Sequence, residues 1–243
     1  MVGENIQLIL SEAYQTKVNE IIEKYFVGKV GIEIGGPSDR YFSNKKMHVY
    51  GKVARLDGLN FSSTTVWTGQ IEKEKGFIVM GERTGDLYIQ DTTDLSNIKE
   101  KYDFVLSSNN IEHIANPLKA VEQWISVLKN DGALVVIAPN KESNFDHMRE
   151  IVKFEHLMED YTNNIDEHDL THLDEILQLH DSGLDYVPNF KERSLKNFEN
   201  RCLHHHCFDL NTLEKIYEMF NLFIIFTADI GLDFIIVGIK KPR

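Results

Sequence analysis

The chain has 243 residues, 42% hydrophobic, 26% charged and 10% aromatic, which excludes a disordered, collagen-like or fibrous protein and fits one large domain or a domain with a sizeable insertion. Lys and Arg number 26 against 38 Asp and Glu, a net charge of −12 with no basic stripe, so no nucleic-acid partner is expected. The two cysteines, Cys202 and Cys207, cannot frame a disulfide scaffold and point to a reducing, cytoplasmic setting.

Residues 5–26 read as an amphipathic helix, with Ile9, Tyr14, Val18, Ile21, Ile22 and Tyr25 at near-helical spacing. Residues 29–34 form a short apolar strand broken by Gly35-Gly36-Pro37. A weaker strand over 49–56 ends at Asp57-Gly58, and a long polar connection from Phe61 to Trp67 follows. Residues 87–89 are a strand ending at Asp91, and 102–106 a strand ending in Ser107-Ser108-Asn109-Asn110. Residues 117–128 are a helix with Pro early and Leu118, Val121, Trp124, Ile125 and Leu128 on one face. After an Asn130-Asp131-Gly132 turn, residues 133–138 are a continuous apolar run, as in a strand buried on both faces. A helix over 211–220 precedes strands over 222–228 and 234–239, close enough to pair antiparallel. Asp229, Gly231 and Asp233 interrupt that apolar region, so no membrane span is expected, and the N-terminus shows no secretory pattern.

The alternation of strands and helices predicts an α/β fold: a parallel sheet with a terminal antiparallel hairpin, covered by helices. Residues 140–206 break the rhythm. They hold eight of the ten histidines, with 15 acidic and 7 basic residues, a local balance of −8. A mostly helical insertion over the carboxyl ends of the strands accounts for them.

Ligands of open α/β sheets bind beyond those strand ends. Gly35 and Gly36 let a ligand approach the backbone closely, but the third glycine of a dinucleotide site is missing, and Glu33 suits a cationic ligand better than a pyrophosphate. Asp57 can accept two ribose hydroxyls and Asp91 an adenine amino group. Each has a plainer reading as a turn or cap residue, but three acids at three successive strand ends argue for a ligand.

With Glu33-Ile34-Gly35-Gly36, Asp57, Asp91, Tyr102 to Asn109, Glu112-His113, Asn116-Pro117-Leu118 and Val127 to Gly132, the chain resembles class I S-adenosylmethionine-dependent methyltransferases. The resemblance implies a Rossmann-like seven-stranded sheet and a cofactor site of Glu33, Gly35, Gly36, Pro37, Ser38, Asp57, Asp91, Thr92, Ser107 and Asn109. The loop departs from the family pattern in being Gly-Gly-Pro-Ser, and the segment between Asp57 and Asp91 is longer than usual. S-adenosylhomocysteine would be the product.

The insertion resembles a bacterial methyltransferase branch met among polysaccharide-assembly and sugar-modifying enzymes. It does so through Phe145-Asp146, Glu155-His156-Leu157, Asp169 to Leu173, Leu179-His180-Asp181 and Arg201 to His206. That implies methyl transfer to a hydroxyl of a small polar acceptor, a sugar, nucleotide-sugar or polysaccharide precursor, with a histidine as base. His113, His204 and His205 are the catalytic candidates; three consecutive histidines in an extended segment cannot all serve one site. Glu112, Asp146, His156, His172, His180 and Arg201 are expected to bind substrate. A divalent metal is a further option that the histidine spacing does not favour, and no metal ligands are assigned. The alternatives are an NAD(P)-dependent oxidoreductase and a non-catalytic binding or assembly protein. The chain is expected to be a single domain over 1–243, with residues 1–28 a helical lid or dimer contact and 140–209 the acceptor-binding insertion, in a monomer or homodimer.

Overall fold

The computed structural model describes residues 11–43, 46–65, 69–185 and 187–242; residues 5–10 of the expected first helix, and Trp67, lie outside them. Helix α1 (Glu12–Tyr25) begins where the Ser11 side chain accepts the Tyr14 N–H. Strand β1 (Val30–Ile34) follows, then the helical turn α2 (Asp39–Phe42) and strand β2 (Arg55–Asn60). Two small hairpins precede β3 (Leu87–Ile89). Then come β4 (Tyr102–Ser108), α3 (Pro117–Val127) and β5 (Leu128–Pro139). Residues 140–209 carry four short helices, α4 (Phe154–Thr162), α5 (Leu173–Leu179), α6 (Phe190–Ser194) and α7 (Asn197–Asn200). Helix α8 (Leu210–Met219) leads into β6 (Leu222–Asp229) and β7 (Asp233–Lys240).

The seven strands lie in the order β6-β7-β5-β4-β1-β2-β3. Strands β1 to β5 run parallel, and β7 inserts antiparallel between β5 and β6. Chain order reverses between β1 and β4, the topological switch point where such sheets hold ligands.

Alternating side chains feed two cores. Ile32, Ile34, Val105, Leu134 and Val136 meet Leu118, Val121 and Trp124 of α3 and Leu213, Ile216 and Tyr217 of α8. Phe104, Leu106, Val135 and Ile137 face the other way, toward Val18, Ile21 and Ile22 of α1 and Tyr41, Phe42 and Tyr50. Burial on both faces is what the continuous apolar runs required.

The second strand corrects the sequence reading. It occupies Arg55–Asn60, not residues 49–56. Val49 and Tyr50 are buried but irregular, packed in the α1-side core. Asp57-Gly58 is no turn: it lies inside the strand, paired with Ile32 and Glu33 of β1. Gly58 is there because the Phe77 ring fills the space a side chain would need; an added Cβ would lie 2.0 Å from it.

Trp124 is fully buried, and its indole N–H donates to Thr92 Oγ1 at 2.6 Å, tying α3 to the segment after β3. Trp124→Ala is expected to lower stability by about 3–5 kcal/mol in urea unfolding. A loss below about 1 kcal/mol would contradict this packing.

Candidate active site

The carboxyl ends of the parallel strands open into a cavity of about 530 Å³. Gly35 after β1, Asn60 at the end of β2, Asp91 and Thr92 after β3, Asn109 and Asn110 after β4 and Pro139 at the end of β5 form its floor. Phe145, Glu167, Leu184, Arg201 and His204 of the inserted segment form the opposite wall. Among the described residues, α1 contributes nothing to this lining and packs on a sheet face instead.

Of the expected cofactor residues, Gly35, Asp91, Thr92 and Asn109 line this cavity. Gly35 has a φ of +79°, and a Cβ there would meet Asn110 Oδ1 at 2.8 Å, so the loop needs glycine. Asn109 Nδ2 donates to Asp233 Oδ1 at 3.0 Å, and Tyr41 O–H donates to Asp233 Oδ2 at 2.6 Å, which fixes the floor between β4 and β7. Asp91 accepts from Arg201 at 3.0 Å, and Arg201 lies 3.1 Å from Glu167, so the inserted segment is clamped to the end of β3.

The other expected cofactor residues do not line this cavity. Glu33 is buried behind the glycine turn, where Tyr50 O–H donates to it at 2.5 Å and the Ser38 N–H donates to the Tyr50 hydroxyl. Burial pushes the Glu33 carboxyl up to about 7 despite that hydrogen bond. Gly36 and Pro37 line a smaller, separate cavity beside Phe77. Ser107 is buried, accepting from Asn110 Nδ2 at 3.3 Å.

Asp57 is structural. Fully buried inside β2, it accepts from Tyr102 O–H at 2.8 Å and the Asp86 N–H at 2.9 Å, and it pairs with Arg55. Asn60, three residues on, takes the strand-end position: it lines the cavity and donates to the Gly36 carbonyl at 3.1 Å. Asn60, Asn110 and Asp233 escaped the sequence reading. Once β2 is placed correctly, its last residue is the signal for Asn60; no sequence signal marks Asp233, the first residue of β7.

On the acceptor side, Glu112, His113, His204 and Arg201 all line the cavity. His113 Nδ1 lies 3.0 Å from the Leu203 carbonyl, which can only accept, so the ring donates there and Nε2 carries the lone pair. Burial, then the neighbouring His204, hold His113 well below its ordinary value and keep it neutral. His204 Nδ1 bonds to Asp146, which pairs with Arg149 at 3.0 Å. Burial opposes the His204 imidazolium, but Asp146 outweighs it and raises the pKa. Burial would also push Asp146 up, yet His204 and Arg149 hold it down at about 2. Burial pushes Glu112 up to about 7, and its Oε2 has no hydrogen-bond partner.

The remaining candidates lie elsewhere. Asp146 sits behind His204 and serves it. His205 accepts from Asn197 at 3.0 Å and faces Glu167, off the cavity. His180 stacks on Phe190 at 3.5 Å and faces Asp185. His156 and His172 bring their Nε2 atoms to 2.9 Å from one another, also away from the cavity. Among the described residues, two groups have atoms close enough to share a metal ion: Glu112, His113 and His204 in the cavity, and His156, His172 and His206 outside it.

A family model described as a methyltransferase domain matches residues 7–222. No curated protein matches the chain. Among solved structures, the chain is similar to N-methyltransferase NodS from Bradyrhizobium japonicum WM9, at 10% identity over 96% of this chain and 97% of that one, with a TM-score of 0.51. NodS in complex with S-adenosyl-L-homocysteine matches at 10% identity over 98% of each chain, with a TM-score of 0.50. An S-adenosylmethionine-dependent methyltransferase from Clostridium acetobutylicum ATCC 824 matches at 8% identity over 94% of this chain and 91% of that one, with a TM-score of 0.51. At these identities the likeness is one of fold.

Glu33 makes stability depend on pH. Its carboxyl titrates near 4.5 when unfolded and at about 7 when folded, so ionising the unfolded chain draws stability away as pH rises through that window. Glu33→Gln is therefore expected to be near neutral at acid pH and to stabilise the free protein by on the order of 2 kcal/mol in mildly alkaline buffer. Urea unfolding on both sides of the window checks this; equal effects on both sides would contradict it.

Proposed function

This chain belongs to the methyltransferase-domain family, whose methyl donor is S-adenosylmethionine, and on that premise we propose that it methylates a hydroxyl of a small polar acceptor, a sugar, nucleotide-sugar or polysaccharide precursor. The carrying observation is that one cavity holds both the glycine turn at Gly35 and a histidine, His204, braced by Asp146. Family membership sets aside the oxidoreductase alternative.

The residues fit the cofactor. The turn at Gly35 leaves backbone accessible where a Cβ would block it. Asp233 and Asp91 place carboxylates on the cavity wall, Asp91 shared with Arg201, and the buried Glu112 Oε2, without a hydrogen-bond partner, is a ready acceptor for a cationic group. Asn60 takes the ribose end and the Asp91–Thr92 segment the adenine end. When bound, the cofactor supplies an electrophilic methyl group on a positively charged sulfur.

The chain supplies alignment and a proton acceptor. Positioning the acceptor in line is worth up to ~7–11 kcal/mol. His204 Nε2 takes the hydroxyl proton while Asp146 holds Nδ1–H and steadies the imidazolium that forms. His113, neutral and fixed by the Leu203 carbonyl, offers Nε2 to an acceptor hydroxyl. A hydroxyl is a weak nucleophile until its proton is taken, whereas a neutral amine attacks without a base; the histidine pair therefore favours oxygen. Phe145, against His204 at 4.7 Å, and Phe61 give the apolar faces a sugar ring stacks on. Cys202 and Cys207 are buried and free, in keeping with a reducing compartment.

The test is transfer of labelled methyl from S-adenosylmethionine to parallel panels of sugar-linked hydroxyl acceptors and of amines. Turnover is expected on the hydroxyl panel; turnover confined to amines would contradict the reading. His204→Ala is expected to lower kcat by roughly 10²–10⁴-fold while leaving S-adenosylhomocysteine affinity within a few-fold. An unchanged kcat would remove His204 from the chemistry.

A further inference from the structure

Away from the active-site cavity, four side chains from three segments converge. Helix α4 presents His156 and Asp160, four residues apart, on one face. His172 caps α5, and His206 lies in the extended segment before α8. His156 Nε2 is 2.9 Å from His172 Nε2 and 3.5 Å from Asp160 Oδ2, and His206 Nε2 is 3.3 Å from Asp160 Oδ2. The ligand atoms of the three histidines all lie within 4.8 Å of one another.

Without an ion this arrangement is poorly satisfied. Two Nε2 atoms at 2.9 Å share a single proton, and Asp160 Oδ2, in a residue only 6% exposed, meets neither of its two imidazole neighbours in good hydrogen-bond geometry. His206 Nε2 also reaches the Ala115 carbonyl, at 3.3 Å. A tetrahedral zinc site with bonds of about 2.0–2.1 Å spaces its ligand atoms about 3.3 Å apart, and the His156–His172, His206–Asp160 and His156–Asp160 pairs stand at 2.9, 3.3 and 3.5 Å. Carboxylates stand behind two of the rings: Glu159 is 3.8 Å from His156 Nδ1 and Glu175 is 3.9 Å from His172 Nδ1. A modest rotamer change would bring each within hydrogen-bond reach, the contact by which outer carboxylates orient histidine ligands. His156 and His172 are partly exposed, which leaves an entry path.

The inserted segment also needs such a staple. Helices α5, α6 and α7 have 7, 5 and 4 residues, and its own buried apolar cluster is Leu173, Ile176 and Leu203. So small a core orders a segment of this length poorly by itself.

We propose that His156, His172, His206 and Asp160 bind one divalent transition-metal ion, zinc by the chemistry of a three-imidazole, one-carboxylate set, and that the ion locks α4, the start of α5 and the strand-like segment before α8 to one another. The site is structural: all four positions are filled by protein, and none lines the active-site cavity.

The test uses the full chain without a histidine tag. Elemental analysis after purification is expected to give one zinc per chain, and a chelator is expected to lower the Tm by several degrees. Cobalt(II) loaded into the stripped protein is expected to show the intense visible bands of a tetrahedral site. His172→Ala is expected to weaken zinc binding by at least about 100-fold, while Glu112→Gln, in the cavity's own cluster, leaves stoichiometry at one. Absence of zinc and cobalt binding to the wild-type chain would overturn the proposal. So would loss of the metal in Glu112→Gln with retention in His172→Ala, which would place the ion in the cavity. The cobalt spectrum of the wild-type chain decides the matter even if a histidine variant fails to fold.

Discussion

A buried guanidinium organises the inserted segment of this molecule. Arg149 donates to Asp146 at 3.0 Å, to the carbonyls of His204 and His205 at 2.7 and 3.1 Å, and to Glu175 at 3.2 Å. A buried cation needs that many acceptors to offset its lost hydration. In meeting the need it fixes the backbone of the histidine run, and so the direction His204 faces. Asp146 is shared between Arg149 and His204, so the charge that satisfies the arginine also orients the imidazole.

The sheet supplies the opposing constraint. Strands buried on both faces can expose a site only at their ends, and the order reversal between β1 and β4 opens the crevice there. The Asp91–Arg201–Glu167 chain then pulls the inserted segment down onto β3. The strand ends and the inserted segment are thereby held against one cavity by that ionic chain, while Arg149 orders the insertion within itself.

Much of this was legible in the sequence because it is local. The apolar runs of β1, β4 and β5 and the one-sided pattern of α3 carry their own periodicity, and the acidic, histidine-rich stretch marks a region built for chemistry. What failed depended on distant partners. Asp57-Gly58 looks like a turn until Phe77, Tyr102 and Arg55 are seen around it; only then does Asn60 become the residue at the strand end. The histidine triplet shows the same limit. Extended geometry already required different directions for its members. Which one meets the cavity, which meets Asn197 and which meets Asp160 is set by contacts 8 to 58 residues away.

The account rests on one cavity serving as the cofactor site, with Asn60 rather than Asp57 at the ribose end. Titration calorimetry with S-adenosylhomocysteine tests this most directly, on the wild-type chain and on Asn60→Ala. The account predicts micromolar binding by the wild type and a loss of roughly tenfold or more in the variant at unchanged Tm. Absence of binding by the folded wild-type chain, or full affinity in Asn60→Ala, would contradict it.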